Sequence, residues 1–361
     1  MRHTRLLDRR GDLNHAHSLS PIFFSGWFSA IEITGGRNSA QSFAGPGGAL
    51  SVASEPILAV FNLPVAKLGR FWESKTWFDY LALTKPEVNF LIVIATFAGF
   101  YLGCASGWHD FPFLRSINVV LGTLLVASGT GALNQYIERR FDAQMRRTAR
   151  RPLAAGRLNP SAVLWFGIAL SVLGTVYLAA AANLLTSLLA LGTLLSYLFF
   201  YTPLKRRSPA CTLVGAFSGA MPPLIGWAAA SGHLSFGAWT LYSVLFFWQF
   251  PHFMSIVWIY REDYARASYL VLPHDEKAIA RIVNWQTLLP LLLLASVSLL
   301  PALTSKASAP YSIGAALLCS GFMYYGVRFA LRRSNSSARQ LLSASIIYLP
   351  SLFVLMMLLT E

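Results

Sequence analysis

Long apolar runs recur along most of the chain and are separated by short polar connections. Nine of these runs are long enough to cross the roughly 30 Å hydrocarbon core of a bilayer as helices. The predicted spans lie near residues 88–105, 116–135, 161–182, 184–203, 209–230, 238–260, 281–302, 311–329 and 341–360. Transmembrane β-barrels have shorter segments of alternating polarity. The pattern therefore predicts an all-α integral membrane protein, with about nine transmembrane helices bundled around a central apolar chamber.

The first 75 residues follow a different pattern, rich in Ser, Gly, Ala, Arg and His. Their two apolar runs, 22–33 and 57–66, are too short to span a bilayer. We expect a disordered or interfacial cytoplasmic tail over 1–75 and a membrane domain over 76–361. A transit peptide is one alternative, which the acidic residues in this stretch disfavour, and an over-long gene start is another.

Charge changes the picture in two ways. Only 12% of the 361 residues are charged, whereas soluble domains carry about 25%, so a soluble globule is excluded. The net charge of +14 is concentrated on one side of the predicted membrane. The connections after spans 2, 4, 6 and 8 carry eighteen lysines and arginines, and the opposite connections carry two, Arg115 and Lys306.

This asymmetry predicts a cytoplasmic amino terminus and an external carboxyl terminus. It also indicates that the positive charge interacts with the surface of the lipid bilayer and does not bind a nucleic acid. A bacterial plasma membrane is favoured over the mitochondrial inner membrane, because the tail is a poor transit peptide.

Acidic residues are scarce after residue 87, and most of them lie in two cytoplasmic connections. In the first, Asn134, Glu138 and Asp142 are four residues apart and would line one face of a helix. One amide and two carboxylates are hard oxygen ligands that suit Mg²⁺. The nearby Arg147 and Arg151 suit a bidentate anion such as a phosphate. The alternative is an ordinary helix end with ion pairs.

Two further groups of charges lie on the same side of the membrane. Lys205 and Arg206 follow span 4. They either contact a diphosphate or only set the orientation of the protein in the membrane, as other basic residues of this side do. Glu262 and Asp263 follow span 6 and form either a second metal motif or a solvated helix end. Together these groups predict a site that binds a metal-bridged diphosphate at the membrane edge.

Residues 134–152 resemble the first motif of the intramembrane aromatic prenyltransferases, the UbiA-type superfamily. Further matching segments run in family order: 83–86, 201–207, 219–227, 248–253, 262–264 and 345–350. Within the superfamily, they are most similar to members that modify heme. The resemblance covers the chain from about residue 80 onward.

The resemblance implies a reaction and its partners. Such members transfer the farnesyl group of farnesyl diphosphate to a vinyl group of heme B, with addition of water, giving heme O. Respiratory oxidases use this product, so a terminal oxidase or heme A synthase is an implied partner. Mg²⁺ is the implied cofactor.

The resemblance also implies roles for individual residues. It assigns catalysis to Asn134, Glu138, Asp142 and Lys205. It assigns binding of the diphosphate to Arg147, Arg151 and Arg206. The implied metal ligands are Asn134, Glu138, Asp142, Glu262 and Asp263. The second motif departs from the family, because Arg266 takes the fourth position after Glu262 and Ser268 replaces an expected glycine.

His252 is the histidine inside a predicted span, directly after Pro251. It precedes Glu262 by ten residues, about 15 Å on a continuous helix, which is roughly the span of a porphyrin. The resemblance favours contact with heme, as an iron ligand or hydrogen-bond partner. The alternative is a packed histidine that bonds a carbonyl freed by a proline kink.

Two other functions fit parts of the pattern. Another aromatic acceptor, such as a 4-hydroxybenzoate-like quinone precursor, would use the same diphosphate site. A secondary transporter would explain intramembrane acids and prolines, although its acids would be expected near the bilayer midplane.

Overall fold

The structure is a computed structural model that describes residues 74–104, 110–273, 275–303 and 307–360. Nearly all of the predicted tail, including its two apolar runs, lies outside these residues. The described chain forms twelve main helices: α1 Ser74–Leu83, α2 Pro86–Gly103, α3 Phe113–Asp142, α4 Pro160–Ala181, α5 Leu184–Leu195, α6 Cys211–Gly219, α7 Met221–Ser231, α8 Phe236–Ile259, α9 Arg261–Arg266, α10 Glu276–Ser298, α11 Ala309–Arg332 and α12 Asn335–Leu359. A π-helical segment, Ser196–Tyr201, and two short helices, Thr202–Leu204 and Leu300–Leu303, lie between them.

The predicted membrane fold is confirmed. Within the described ranges, eight helical segments are long and apolar enough to cross a membrane. α8 corresponds to the remaining predicted span and has 24 residues. Gln249 and His252 lie in its second half, and it contacts α2, α7, α10 and α12. The chain is a multi-pass membrane protein.

Helix bounds differ from the predicted spans mainly where polar residues continue a helix. The second span was predicted to end at residue 135, but α3 continues for two more turns to Asp142. α12 starts at Asn335 rather than 341, because Ser334 and Ser337 form a capping box before it. α1 was not predicted, and its Trp77 and Phe78 are exposed.

The helices pack largely in chain order, and the order closes on itself. α3 packs on α4, α4 on α5, and α5 on α7, which contacts α8. α8 packs on α10, α10 on α11, and α11 on α12, and α12 returns to contact α2. α2 contacts both α3 and α7. Because successive spans alternate in direction, the carboxyl end of α3 lies on the same side as the connections after α5, α8 and α11.

Two of these connections are packed together through an apolar cluster. Met145, Cys211, Val257, Ala267, Tyr269 and Val271 are its buried members. The main-chain N–H of Leu270 also donates to the carbonyl of Lys205 at 3.0 Å. The segments that follow α3, α5 and α8 therefore form one covered region at the carboxyl end of α3.

Candidate diphosphate and metal site

The oxygen-bearing residues of the first motif form a buried row on α3. Asn134, Glu138 and Asp142 are 1%, 5% and 1% exposed. They lie within one continuous helix, so their spacing of four places them along one face, as predicted. Burying two carboxylates in such a row is costly unless each has a compensating partner.

Each member of the row contacts one cation, and each cation comes from a different connection. The ammonium of Lys85 donates to Asn134 Oδ1 at 3.0 Å. Lys205 Nζ is 2.9 Å from Glu138 Oε1. Arg151 Nη1 is 2.8 Å from Asp142 Oδ2. Three cations therefore lie side by side at the membrane edge, which is an arrangement that attracts a multiply charged anion.

Lys85 was not predicted as a site residue, although it lies in a segment that carried the family resemblance. It precedes Pro86 and has a left-handed backbone with φ of 54°, which is a rare conformation for a non-glycine residue. Burial and the nearby Arg151 and Lys205 cations lower the pKa of Lys85 to about 7. Negative charge favours the protonated form of an amine, so a bound anion would oppose this shift.

A π-helical segment, Ser196–Tyr201, places Lys205. Such segments interrupt regular helices and are frequent at functional sites. The Lys205 ammonium lies 4.5 Å from the ring centroid of Tyr201, and Thr202 Oγ1 accepts a 3.3 Å hydrogen bond from Asn134 Nδ2. Burial lowers the pKa of Lys205, but the Glu138 carboxylate outweighs this effect and raises the pKa well above its ordinary value.

The donor set fits a magnesium ion. Asp142 Oδ1 is buried and has no hydrogen-bond partner among the described residues. Within the same residues, no three His, Cys, Asp or Glu side chains are close enough to hold a metal by themselves. Mg²⁺ does not require such a cage, because it is commonly held by one or two carboxylates, waters and substrate phosphates.

Asp263 joins the first cluster through the main chain. It is buried, and its Oδ2 accepts a 3.1 Å hydrogen bond from the backbone N–H of Arg147. Its Oδ1 forms an ion pair with Arg266. Arg266, which breaks the expected acidic spacing, therefore neutralises Asp263. Ser268, in place of the expected glycine, has φ of 55°, a conformation that glycine adopts without strain.

Three further predicted site residues, all charged, have no ion pair with the row. Glu262 is exposed and makes no ion pair with any described residue. Arg206 is exposed and its guanidinium lies 4.3 Å from the ring centroid of Phe141. The side chain of Arg147 lies over the Tyr260 ring at 5.0 Å. These residues lie in the same connections as Arg151, Lys205 and Asp263, but neighbouring residues of a helical turn point in different directions.

His252 lies on α8, apart from the acidic row, and is partly buried. Its Nδ1 is 2.7 Å from Ser345 Oγ of α12. Its ring stacks on Trp248 with centroids 4.5 Å apart. The prediction of a continuous helix from His252 to Glu262 is wrong, because α8 ends at Ile259 and a separate helix, α9, begins at Arg261.

A separate pocket of about 230 Å³ lies at the opposite end of the bundle. Its lining comes from the ends of α2, α7, α8 and α12 that point away from the row, and it includes Leu102, Trp227, Phe236 and Met356. It is remote from the charged row and belongs to the other membrane face.

The fold is that of a multi-pass membrane protein, and the charged row is a buried set of paired charges at one end of its helical bundle. Residues 92–353 match the model of the UbiA prenyltransferase family. The chain therefore belongs to the UbiA prenyltransferase family, whose members are membrane enzymes that transfer prenyl groups.

Similar proteins support this membership. A protoheme IX farnesyltransferase of Solibacter usitatus is 47% identical over 291 residues, covering 78% of this chain and 98% of that protein. A protoheme IX farnesyltransferase of Salinibacter ruber is 41% identical, covering 77% of this chain and 97% of that protein.

Solved structures share the fold at lower identity. A digeranylgeranylglyceryl phosphate synthase has a TM-score of 0.64 and 17% identity, with 78% of this chain and 97% of that chain covered. A UbiA homologue from Archaeoglobus fulgidus, bound to GPP and Mg²⁺, has a TM-score of 0.52 and 15% identity, with 77% and 99% covered.

Proposed function

We propose that this protein transfers the farnesyl group of farnesyl diphosphate to a vinyl group of heme B, with addition of water, giving heme O. The observation that carries the proposal is the row of Asn134, Glu138 and Asp142, in which each side chain is matched by a cation. Similarity over nearly the full length of two protoheme IX farnesyltransferases supports the choice of donor and acceptor.

The cations bind the charged head of the donor in this proposal. Lys85, Lys205 and Arg151 meet at the cytoplasmic membrane edge, where an amphiphile with a charged head and an apolar tail would lie. Their positive charge stabilises the negative charge that develops on the leaving diphosphate. The alternative role of Lys205 as a plain topology charge explains neither its burial nor its contact with Glu138.

Asn134, Glu138 and Asp142 would hold Mg²⁺, with Asp263 as the nearest acid of the second motif. The ion would neutralise diphosphate charge and make it a better leaving group. The A. fulgidus homologue bound to GPP and Mg²⁺ supports the use of this metal. Glu262, which is exposed, would need to turn inward to take part.

Exclusion of water is the second requirement of the proposed reaction, because departure of diphosphate leaves a reactive allylic cation. The apolar cluster around Met145 and Tyr269 covers the carboxyl end of the row. Such a cover protects the cation until the acceptor is in place. The aromatic residues of α8 extend this apolar surface into the bundle.

We also propose a bacterial plasma membrane as the location, consistent with the bacterial origin of the relatives. A terminal oxidase or heme A synthase would use the product. Residues 1–75 would form a tail outside the catalytic domain.

The decisive experiment is a reconstituted assay. Purified protein in liposomes receives heme B, farnesyl diphosphate and Mg²⁺, and the products are analysed by mass spectrometry. We expect heme heavier by one farnesyl group and one hydroxyl group, and loss of this product with EDTA. Unchanged heme from folded protein would contradict the proposal and point to another aromatic acceptor.

Asp142→Asn tests the role of the row within the same assay. It keeps the shape of the side chain but removes the charge, so we expect about a 100-fold loss of product. Asp79→Asn is the matched control, because Asp79 pairs with Arg157 outside the row. Equal activity of the two variants would remove the row from the mechanism.

A further inference from the structure

Ser345 of α12 holds two aromatic side chains of α8 at once. Its carbonyl accepts a 2.8 Å hydrogen bond from the indole N–H of Trp248. Its hydroxyl oxygen is 2.7 Å from His252 Nδ1. Trp248 and His252 stack on each other with nearly parallel rings, 23° apart. Ser345 is itself fully buried, so these contacts are made in a closed environment.

The position of one proton follows from these distances. Ser345 Oγ is also 2.6 Å from the carbonyl oxygen of Leu342, one turn earlier on α12. Two oxygens at that separation need a proton between them, and a hydroxyl has only one. The hydroxyl therefore donates to Leu342 and must accept from His252. Nδ1 of His252 consequently carries the ring proton.

The other ring nitrogen is then left with a free lone pair. A neutral imidazole has one N–H, so protonation at Nδ1 makes Nε2 an acceptor or a metal ligand. The ring makes no second hydrogen bond to any residue in the described ranges. The side chain is only partly buried, although Trp248 beneath it is 2% exposed. A ligand can therefore reach the outer edge of the ring.

We infer that Ser345 is a positioning residue that fixes the Nδ1–H tautomer of His252, so that Nε2 ligates the iron of the heme substrate. A histidine that ligates a metal commonly donates its other N–H to an oxygen, which orients the ring and increases its basicity. The inference rests on the proposed function, because it takes heme as the acceptor. It adds a residue outside the diphosphate site.

Heme binding measured without farnesyl diphosphate tests this inference separately from turnover. Ferric heme is titrated into purified protein, and the dissociation constant and absorption spectrum are recorded. We expect a histidine-type spectrum for the native protein and its loss in His252→Ala, with partial restoration by added imidazole. For Ser345→Ala we expect about tenfold weaker binding and an altered iron–histidine stretch in the resonance Raman spectrum.

Ser255→Ala is the matched control. Ser255 is also fully buried on α8, but its hydroxyl donates to the carbonyl of His252 at 2.6 Å and not to the ring. It should leave heme affinity and the iron–histidine stretch unchanged. If Ser345→Ala does not fold, Ser345→Cys replaces it, and its weaker acceptor should give an intermediate loss of affinity.

Three results would overturn the inference. They are native heme affinity in the Ser345 variant, equal losses in the Ser345 and Ser255 variants, and a native spectrum in His252→Ala. Failure of the proposed function has a different signature. The native protein would then bind heme through His252 but form no farnesylated product.

Discussion

At the scale of single residues, the site balances buried charges against one another. The side chains of Lys205 and Glu138 are 14% and 7% exposed, so neither is well hydrated. In such a pair, removing one partner leaves the other charge uncompensated, whereas removing both is much less costly. The pair is therefore a test of whether the row is held together by charge.

Lys205→Met should destabilise the protein by about 3 kcal/mol, because Glu138 loses its cation. The double variant with Glu138→Gln should regain most of that stability while prenyl transfer stays low. Thermal unfolding in detergent and the farnesylation assay measure the two effects. A double variant as unstable as the single one would contradict this account.

Arg157→Met is the matched control for the single variant. The Arg157 side chain is 46% exposed in its pair with Asp79, and exposed pairs contribute less than about 1 kcal/mol. A loss of stability equal to that of Lys205→Met would show that burial does not distinguish the two pairs.

The acidic row was predictable because residues that are four apart in a helix lie on the same face. The positions of Lys85 and Glu262 relative to the row could not be predicted from spacing. The role of Lys85 depends on α2 packing beside α3, which spacing within one segment does not encode. Glu262 and Asp263 are adjacent in sequence, so only the path of the chain after α8 decides that Asp263 alone is buried.

At the scale of helices, α2 and α7 approach each other so closely that two glycines become obligatory. A side chain on Gly99 would lie 2.1 Å from the carbonyl oxygen of Pro223. One on Gly226 would lie 2.0 Å from that of Thr96. Small residues commonly allow this kind of backbone contact between membrane helices.

Gly226→Ala should therefore force α2 and α7 apart and lower the unfolding midpoint clearly, since the clash is with main chain and cannot be relieved by a rotamer change. Gly192→Ala on α5 is the control, because no atom lies within 4 Å of the added methyl group. That change should be neutral or slightly stabilising, as alanine favours helix by about 1 kcal/mol. Comparable melting curves for the two variants would refute the close approach.

The helix ends were harder to predict than the helices. Hydropathy locates the part of α3 inside the bilayer but stops at the charged residues that form the site. The two further turns to Asp142 are stabilised by Arg151 and Thr148 of the connection that follows, and by Lys205 from the connection after α5. Those partners are close only in the folded chain.

At the scale of the whole molecule, the nine spans found among the described residues place the two ends of the membrane domain on opposite sides. The basic connections predict which side is cytoplasmic. A cysteine replacing Gly232, between α7 and α8, should react with an impermeant maleimide in intact cells. One replacing Arg333, between α11 and α12, should react only after lysis.

The background for this labelling needs Cys104, Cys211 and Cys319 replaced by serine, and retained farnesylation would show that it is still folded. Labelling of the Arg333 position in intact cells would contradict the orientation. The fold class was predictable from the sequence, because it follows from the length of the apolar segments, whereas the side of the membrane stays a prediction from charge. The closed order of contacts was not predictable, because the apolar helix faces have no unique partner.

The hydrogen bond from Arg147 to Asp263 has a consequence for genetics. Its donor is a main-chain N–H, so every substitution at position 147 except proline preserves it. A saturation screen would therefore report this bond only at position 263. In a pairwise screen, the effects of substitutions at positions 147 and 263 should be independent. We also expect no covariation between these positions among relatives, although their atoms are in contact.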